Sequence, residues 1–421
     1  MTAAYRSLSP KLDQVWRLLS LLPGRDFDAE EAAALLGTDS EKTMHCLAAL
    51  HAEGLLAVIC REGCSDLRWQ IPTTLRSDAA RYREQDVPIE QQEQAINRLL
   101  GWVQPAAEWA AACATPYRAS SQQALVANRS RADRPELDAP GALRWLTDHH
   151  ETITGCVRIA DDHGQFKRVI ALAATEWPPA RHHLIDPGNW WVADTTALRA
   201  AEALNDQEAA ARILDRLGVW GRRTGNHEQA IDYHCRAADR WALLGNPVRR
   251  AESRRRIGHV LLARQQIQDA LELFEAAEFA FEQIPTDQGR RNLGLTLVDI
   301  AAAHLAADRP DEPSSNDDDA FLDAFSAARR GYELIRAHAP LDLTSQARAL
   351  VVKGEAGERL HYTGVLDDLR KARDLARQAG AVSVQVAALD VLADALRRHG
   401  AQADAAAVMV ERRTLATRLR S

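Results

Sequence analysis

The sequence predicts a mainly α-helical protein, and three observations predict it. Apolar residues recur at three- and four-residue spacing along most of the chain, the mark of amphipathic helices. Of the 421 residues, 46% are hydrophobic, which suffices for two or three domains with real cores. A motif of large and small residues also returns at a nearly fixed interval through the C-terminal half, as in stacked helical hairpins.

The elements follow in order. Leu12, Val15, Trp16, Leu19 and Leu22 share one helical face, and Pro23-Gly24 stops that helix. Asp28 followed by Glu31 is a capping-box pair that opens a second helix ending at Gly37. Thr38 followed by Glu41 opens a third, with Met44, Leu47 and Leu50 inward and Gly54 at its end. Leu55–Ile59 and Leu67–Ile71 flank a polar turn and read as a β-hairpin. Three helices and a hairpin make a winged helix over residues 1–90.

A winged helix raises the question of DNA. The third helix offers Ser40, Glu41, Lys42, Thr43 and His45 but no arginine, and the hairpin turn adds Arg61. Through Glu90, Lys and Arg total 10 against 14 for Asp and Glu. That sign opposes a surface whose affinity comes largely from phosphate contacts. Lys42, Thr43, His45 and Arg61 are therefore the candidate contacts of an alternative, DNA-binding reading.

The run Tyr5-Arg-Ser-Leu-Ser-Pro through Leu21-Leu-Pro-Gly-Arg-Asp-Phe27, then Ala32-Ala-Ala-Leu-Leu-Gly37, resembles the winged-helix domain that follows the nucleotide-binding module of STAND-type ATPases, in particular actinomycete regulators. Ala142-Leu-Arg-Trp-Leu-Thr-Asp-His-His-Glu151 is similar to the helix that precedes the repeats in those regulators. The resemblance implies a switch module joined to a repeat sensor. In the family, the end of the winged helix carries a Phe-His-Asp-like motif whose histidine touches nucleotide. Here Pro72 and Thr73 occupy the His-Asp positions, and no Gly-x-x-x-x-Gly-Lys-Ser/Thr loop occurs. No cofactor is expected.

Residues 91–160 form a helical connector. Gln91–Tyr117 reads as helix, and the polar, breaker-rich stretch 118–141 as a loop. His149-His150, Cys156 and His182-His183 invite a metal, but adjacent helical residues point about 100° apart, so none is assigned. Cys60 and Cys64 flank the hairpin turn without a zinc spacing. With no export signal, the six cysteines are expected reduced, in the cytoplasm. No apolar run is long enough to span a membrane.

Residues 161–421 carry the repeat. Leu214, Leu217-Gly218, Gly225, Ala230 and Ala237 match the tetratricopeptide spacing, and Ile257-Gly258, Ala270, Phe274 and Ala277 repeat it. Further copies begin at Leu297, Leu350 and Leu389, and a degenerate one holds Gly188, Ala193, Ala197 and Ala200. From Leu217 through Ile257, Ile300 and Leu350 to Leu392 the offsets are 40, 43, 50 and 42 residues. The longest contains an acidic insertion near 308–319 with no apolar content, expected to be disordered. The result is an α-solenoid of five to six tetratricopeptide-like hairpins, its groove lined by the first helix of each pair.

In that register Asp215, Arg222, Arg255, His259, Arg348, Asp390, Asp394 and Arg397 line the groove and are the candidate partner-binding residues. Arg249, Arg250, Arg254, Arg255, Arg256 and Arg264 form a dense basic stretch, readable as an anion clamp or, preferably, as a salt-bridged helix face. No catalytic motif appears, so the chain reads as a non-enzymatic regulatory or scaffold protein with a protein or peptide partner. The alternatives are a DNA-binding regulator with the repeats as sensor, and part of a longer STAND ATPase regulator.

Overall fold

The computed structural model describes residues 8–59, 67–117, 137–182, 187–307 and 317–418. They form two compact units, Met1–Trp109 with Trp145–Glu176, and Ala110–Arg144 with Trp177–Ser421. Residues 91–160 contribute to both units.

The first unit begins with α1 (Pro10–Leu19), capped by Ser9, α2 (Ala29–Leu36) and α3 (Ser40–Ala52). The capping box of α2 is complete: Glu31 N donates to Asp28 Oδ1 and Asp28 N to Glu31 Oε2, each at 2.8 Å. The cap of α3 is Asp39, whose carboxylate accepts from Lys42 N, and not Thr38 as the sequence pattern predicts. Thr38 instead shares a 2.7 Å hydrogen bond with the Thr43 hydroxyl. The strands β1 (Ala57–Ile59) and β2 (Arg68–Gln70) pair antiparallel with Val58 opposite Trp69, and Phe27 bridges to Trp69 from the other side. Trp16, Leu19, Phe27, Leu35, Leu47, Leu50 and Trp69 fill the core between these elements. The apolar spacing predicts Trp16, Leu19, Leu47 and Leu50 among them.

α4 (Thr73–Asp86) and the long α5 (Ile89–Ala114) follow. α6 (Ala139–Asp148), α7 (His150–Asp162) and α8 (Phe166–Thr175) bring the chain back. Of the loop expected over 118–141, Ala139–Gly141 already belong to α6, because Asp138 accepts from Gly141 N and caps the turn. Residues 118–136 lie outside the described residues, as do Cys60, Arg61, Cys64 and His183.

The second unit is a stack of antiparallel helices. After α9 (Trp177–Arg181) and α10 (Pro187–Ala203) come α11 (Gln207–Arg223) with α12 (His227–Leu243), α13 (Pro247–Ala263) with α14 (Ile267–Glu282), and α15 (Asp287–Ala307) with α16 (Asp317–His338). α17 (Leu343–Arg359) with α18 (Val365–Gln378) and α19 (Val382–Arg398) with α20 (Gln402–Arg418) complete it. Each first helix also touches the first helix of the next hairpin, which places α11, α13, α15, α17 and α19 along one inner face. Of the acidic insertion, Asp317–Asp319 are helical and open α16, where carboxylates complement the helix dipole; 308–316 lie outside the described residues.

The repeat motif exists because the hairpins pack closely. A Cβ on Gly218 would lie 2.5 Å from the His234 ring, and one on Gly258 or Gly354 2.6 Å from Phe274 or Leu369. Larger side chains would separate the two helices of each pair.

Candidate functional site

The inner face of the repeat unit collects charge. Asp299, at the middle of α15, is fully buried. Arg255 Nη1 lies 2.5 Å from its Oδ2, Arg348 Nη2 2.5 Å from its Oδ1, and His259 Nε2 3.0 Å from Oδ2. α13, α15 and α17 are thus joined through one carboxylate. Burial disfavours that charge, but the His259 hydrogen bond and the two guanidiniums outweigh it and hold Asp299 ionised far below the carboxylate range. Burial pushes His259 down to about 4, against the pull of Asp299, so near neutral pH it donates an N–H without carrying charge.

A second knot forms around Asp215 of α11. Ser253 donates to it at 2.9 Å, His234 Nδ1 lies at 3.0 Å, Trp241 Nε1 at 3.3 Å and Arg256 Nη1 at 2.8 Å. Although burial raises it, Arg256 and His234 hold the acid at about 2. Next to it, Glu252 accepts from Asn292 Nδ2 at 2.6 Å and from Arg249 Nη1 at 2.8 Å. A third lies where α17 begins: Arg291 donates to Asp342 through Nε at 2.9 Å, and Arg181 reaches Tyr117 and Ser345. The Tyr117 ring lies beneath both guanidiniums, 5.7 Å from Arg181 and 5.0 Å from Arg291.

Of the predicted groove residues, Arg222, Arg255, His259 and Arg348 come together around Asp299, whereas Asp215 is buried among α11, α12 and α13 with both oxygens engaged and is not open to a partner. Asp390, Asp394 and Arg397 do not join them: Asp390 pairs with Arg412 at 2.9 Å, and Asp394 with Arg397 at 2.5 Å on an exposed surface. The basic stretch of α13 is divided by the helix. Arg249, Arg255 and Arg256 turn to carboxylates, whereas Arg250, Arg254 and Arg264 are exposed. Sequence reasoning missed Asp299, Glu252, Arg291 and Asp342. A signal existed for the first: an aspartate set inside the apolar run Leu295-Thr-Leu-Val-Asp-Ile-Ala301 has to find buried partners.

In the first unit, Thr43 is a correction. It is buried, facing the core with its hydroxyl on Thr38, and cannot reach a base edge. Lys42 pairs with Asp39 at 2.6 Å and His45 Nδ1 lies 2.8 Å from the Glu41 carbonyl; both are exposed.

The same unit contains a buried charge cluster that the sequence does not single out. Arg68 of β2 contacts Asp26, and Glu31 at 3.2 Å, while His149 Nε2 lies 2.8 Å from Asp28 Oδ2. His149 stacks on Trp145 at 4.1 Å, and burial, which lowers its pKa, is outweighed by the Glu31 and Asp28 charges, which raise it to about 9. Asp28, Glu31 and His149 bring three ligand-type atoms within 4.8 Å of one another. The Arg68 guanidinium and the protonated imidazole already supply that cluster with positive charge, so its donor set suits an ion-pair network better than a cation. His150 turns away to the Thr147 carbonyl, as adjacent helical residues do.

The class of protein this architecture defines is a tetratricopeptide-like helical solenoid, mainly α-helical. Among solved structures, a Rap protein complexed with Competence and Sporulation Factor is similar over 97% of this chain and 99% of its own, with a TM-score of 0.51 at 11% identity. A Signal Transduction ATPase with Numerous Domains with a tetratricopeptide repeat sensor, from Pyrococcus horikoshii, aligns with 99% of this chain at a TM-score of 0.45 and 12% identity. This chain spans about half, 52%, of that protein's length. The quorum sensor NprR from B. thuringiensis aligns with 74% of this chain and 97% of its own at a TM-score of 0.33 and 10% identity. No protein-family model and no curated protein sequence matches the chain. Among the described residues, no helix is long and apolar enough to cross a membrane.

Proposed function

We propose that the chain is a regulatory or scaffold protein that binds a protein or peptide on the inner face of its repeats. The observation that carries this is the convergence of Arg222, Arg255, His259 and Arg348 from the first helices α11, α13 and α17 around Asp299 of α15. Solenoids present such faces to extended partners, because neighbouring repeats add contacts in register. The solved Rap protein was crystallised with Competence and Sporulation Factor, which fits a peptide or protein occupant here.

In this reading the N-terminal helices with their β-ladder are a winged helix of the kind found in STAND regulators, serving as a packing or protein-contact module. Pro72, at the N-cap of α4, has neither a side-chain donor nor a backbone N–H to offer.

The test is selection of displayed random peptides on the full chain, followed by hydrogen exchange of the selected complex. Protection is expected in α11, α13, α15 and α17. Selection that enriches nothing, or protection confined to other helices, rejects the reading.

A further inference from the structure

The charges of the inner face do not balance. Around Asp299 and Asp342 stand the guanidiniums of Arg181, Arg222, Arg255, Arg291 and Arg348, five cations for two carboxylates. His259 adds no charge near neutral pH. Each guanidinium carries five N–H donors in a fixed fork. The carboxylates of the face are already engaged, so donors remain while acceptors do not.

Two arginines stand out. The Arg222 side chain makes no hydrogen bond or ion pair among the described residues, although it is half-buried on α11 and lies close enough to Arg348 for the two charges to repel. Arg348 gives one N–H to Asp299 and leaves the rest of its head open, with 39% of the side chain exposed. Deeper in, the Nε of Arg255 is buried without a hydrogen-bond partner. Cations held together, partly desolvated and short of acceptors gain most from an anion that supplies oxygen atoms.

We infer that this face takes an acidic peptide segment, whose carboxylates fork onto Arg222 and Arg348. The inference rests on the peptide reading above and adds the chemistry of the partner. An extended partner fits better than a small ion because the guanidiniums come from four first helices, α11, α13, α15 and α17, with Arg181 of α9 beside Arg291 and Ser345. Interspersed carboxylates at Asp299 and Asp342 fit a peptide with spaced acids better than the continuous charge of a nucleic acid strand.

The experiment measures fluorescence anisotropy of the full chain with four labelled probes at low salt: a ten-residue Asp/Gly peptide, its Asn/Gly and Lys/Gly counterparts, and a ten-nucleotide oligo-dT. The Asp peptide is expected to bind at least about tenfold tighter than the Asn peptide. Arg222→Gln, which breaks no internal hydrogen bond, should cost about tenfold with an unchanged melting temperature; Arg348→Gln should weaken binding at least as much. Equal affinity for the Asp and Asn peptides, indifference to Arg222→Gln, or tighter binding of oligo-dT overturns the inference. If the display selection yields inner-face binders with no acidic residues, the peptide reading stands and this inference falls. If no peptide binds at all, both fall.

Discussion

Arg348 lies 2.5 Å from Oδ1 of Asp299 across 49 residues of sequence, a contact that ties the hairpin starting at α17 to the one before it. Arg255 holds the other oxygen at 2.5 Å from the opposite side. Asp299 therefore fastens three consecutive first helices together, and it does so on the face proposed to bind.

Replacing Asp299 with Asn should destabilise the fold strongly. The change leaves Arg255 buried without its charge partner, and breaking a buried pair in this way costs about 3–5 kcal/mol. Chemical denaturation followed by circular dichroism should show the midpoint falling. A midpoint within error of the wild type would mean that the three helices do not depend on this carboxylate.

His149 should make stability fall on the alkaline side. Its folded pKa of about 9 exceeds the ordinary 6.5, so the fold binds a proton that the unfolded chain releases. The stabilisation is fully present below pH 6.5 and is lost as pH rises through 9; it amounts to about 3 kcal/mol at most. Melting temperatures of the wild type and His149→Gln, taken from pH 6 to 10, should converge toward the top of that range.

His259 should do the reverse on the acid side. Its folded pKa of about 4 lies below the ordinary 6.5, so the unfolded chain takes up the proton first. Stability is present above pH 6.5 and drains away as pH falls through 4. Asp215 and Glu252, both held at about 2, extend the loss to lower pH as they protonate. In His259→Asn the decline between pH 6.5 and 4 should be shallower, measured as the change of melting temperature with pH.

Gly218 and Gly101 should respond oppositely to alanine. At Gly218 the new methyl group meets the His234 ring, and overpacking of this kind costs about 1–3 kcal/mol. At Gly101 of α5 nothing lies within 4 Å, and helix propensity alone should add about 0.5–1 kcal/mol. Thermal melts of the two variants decide this. A neutral Gly218→Ala would show that the hairpin has slack at its crossing.

For the first unit, a gel shift with genomic fragments at low salt is expected to show no complex. Thr43→Ala should lower the melting temperature through the lost hydroxyl pair with Thr38, without a DNA phenotype. A salt-sensitive shift abolished by Lys42→Ala would instead establish the DNA-binding alternative.

Local rules were legible in the sequence where a few neighbouring residues decide the outcome. Asp28 and Glu31 announce a capping box because both hydrogen bonds close within one helical turn. Gly218, Gly258 and Ala301 mark the crossings because only small side chains fit between paired helices. The same rules erred by a residue at Thr38, where Asp39 offers the better acceptor, and at Ala139, where Asp138 caps a helix inside an apparent loop.

By itself, then, the sequence determined the mainly helical fold and the pairing of the repeat helices into hairpins, since period and small-residue spacing are local quantities. It set Asp215, Arg222, Arg255, His259 and Arg348 on the first helices of those hairpins. Only the tertiary structure decided what each of them meets. Asp299 lies 44 residues from Arg255 and 49 from Arg348, and His149 lies 121 from Asp28. The first two separations follow the repeat interval, which brings equivalent positions of successive first helices together, but no period encodes the third or says which polar groups are buried: the packing of whole helices sets both.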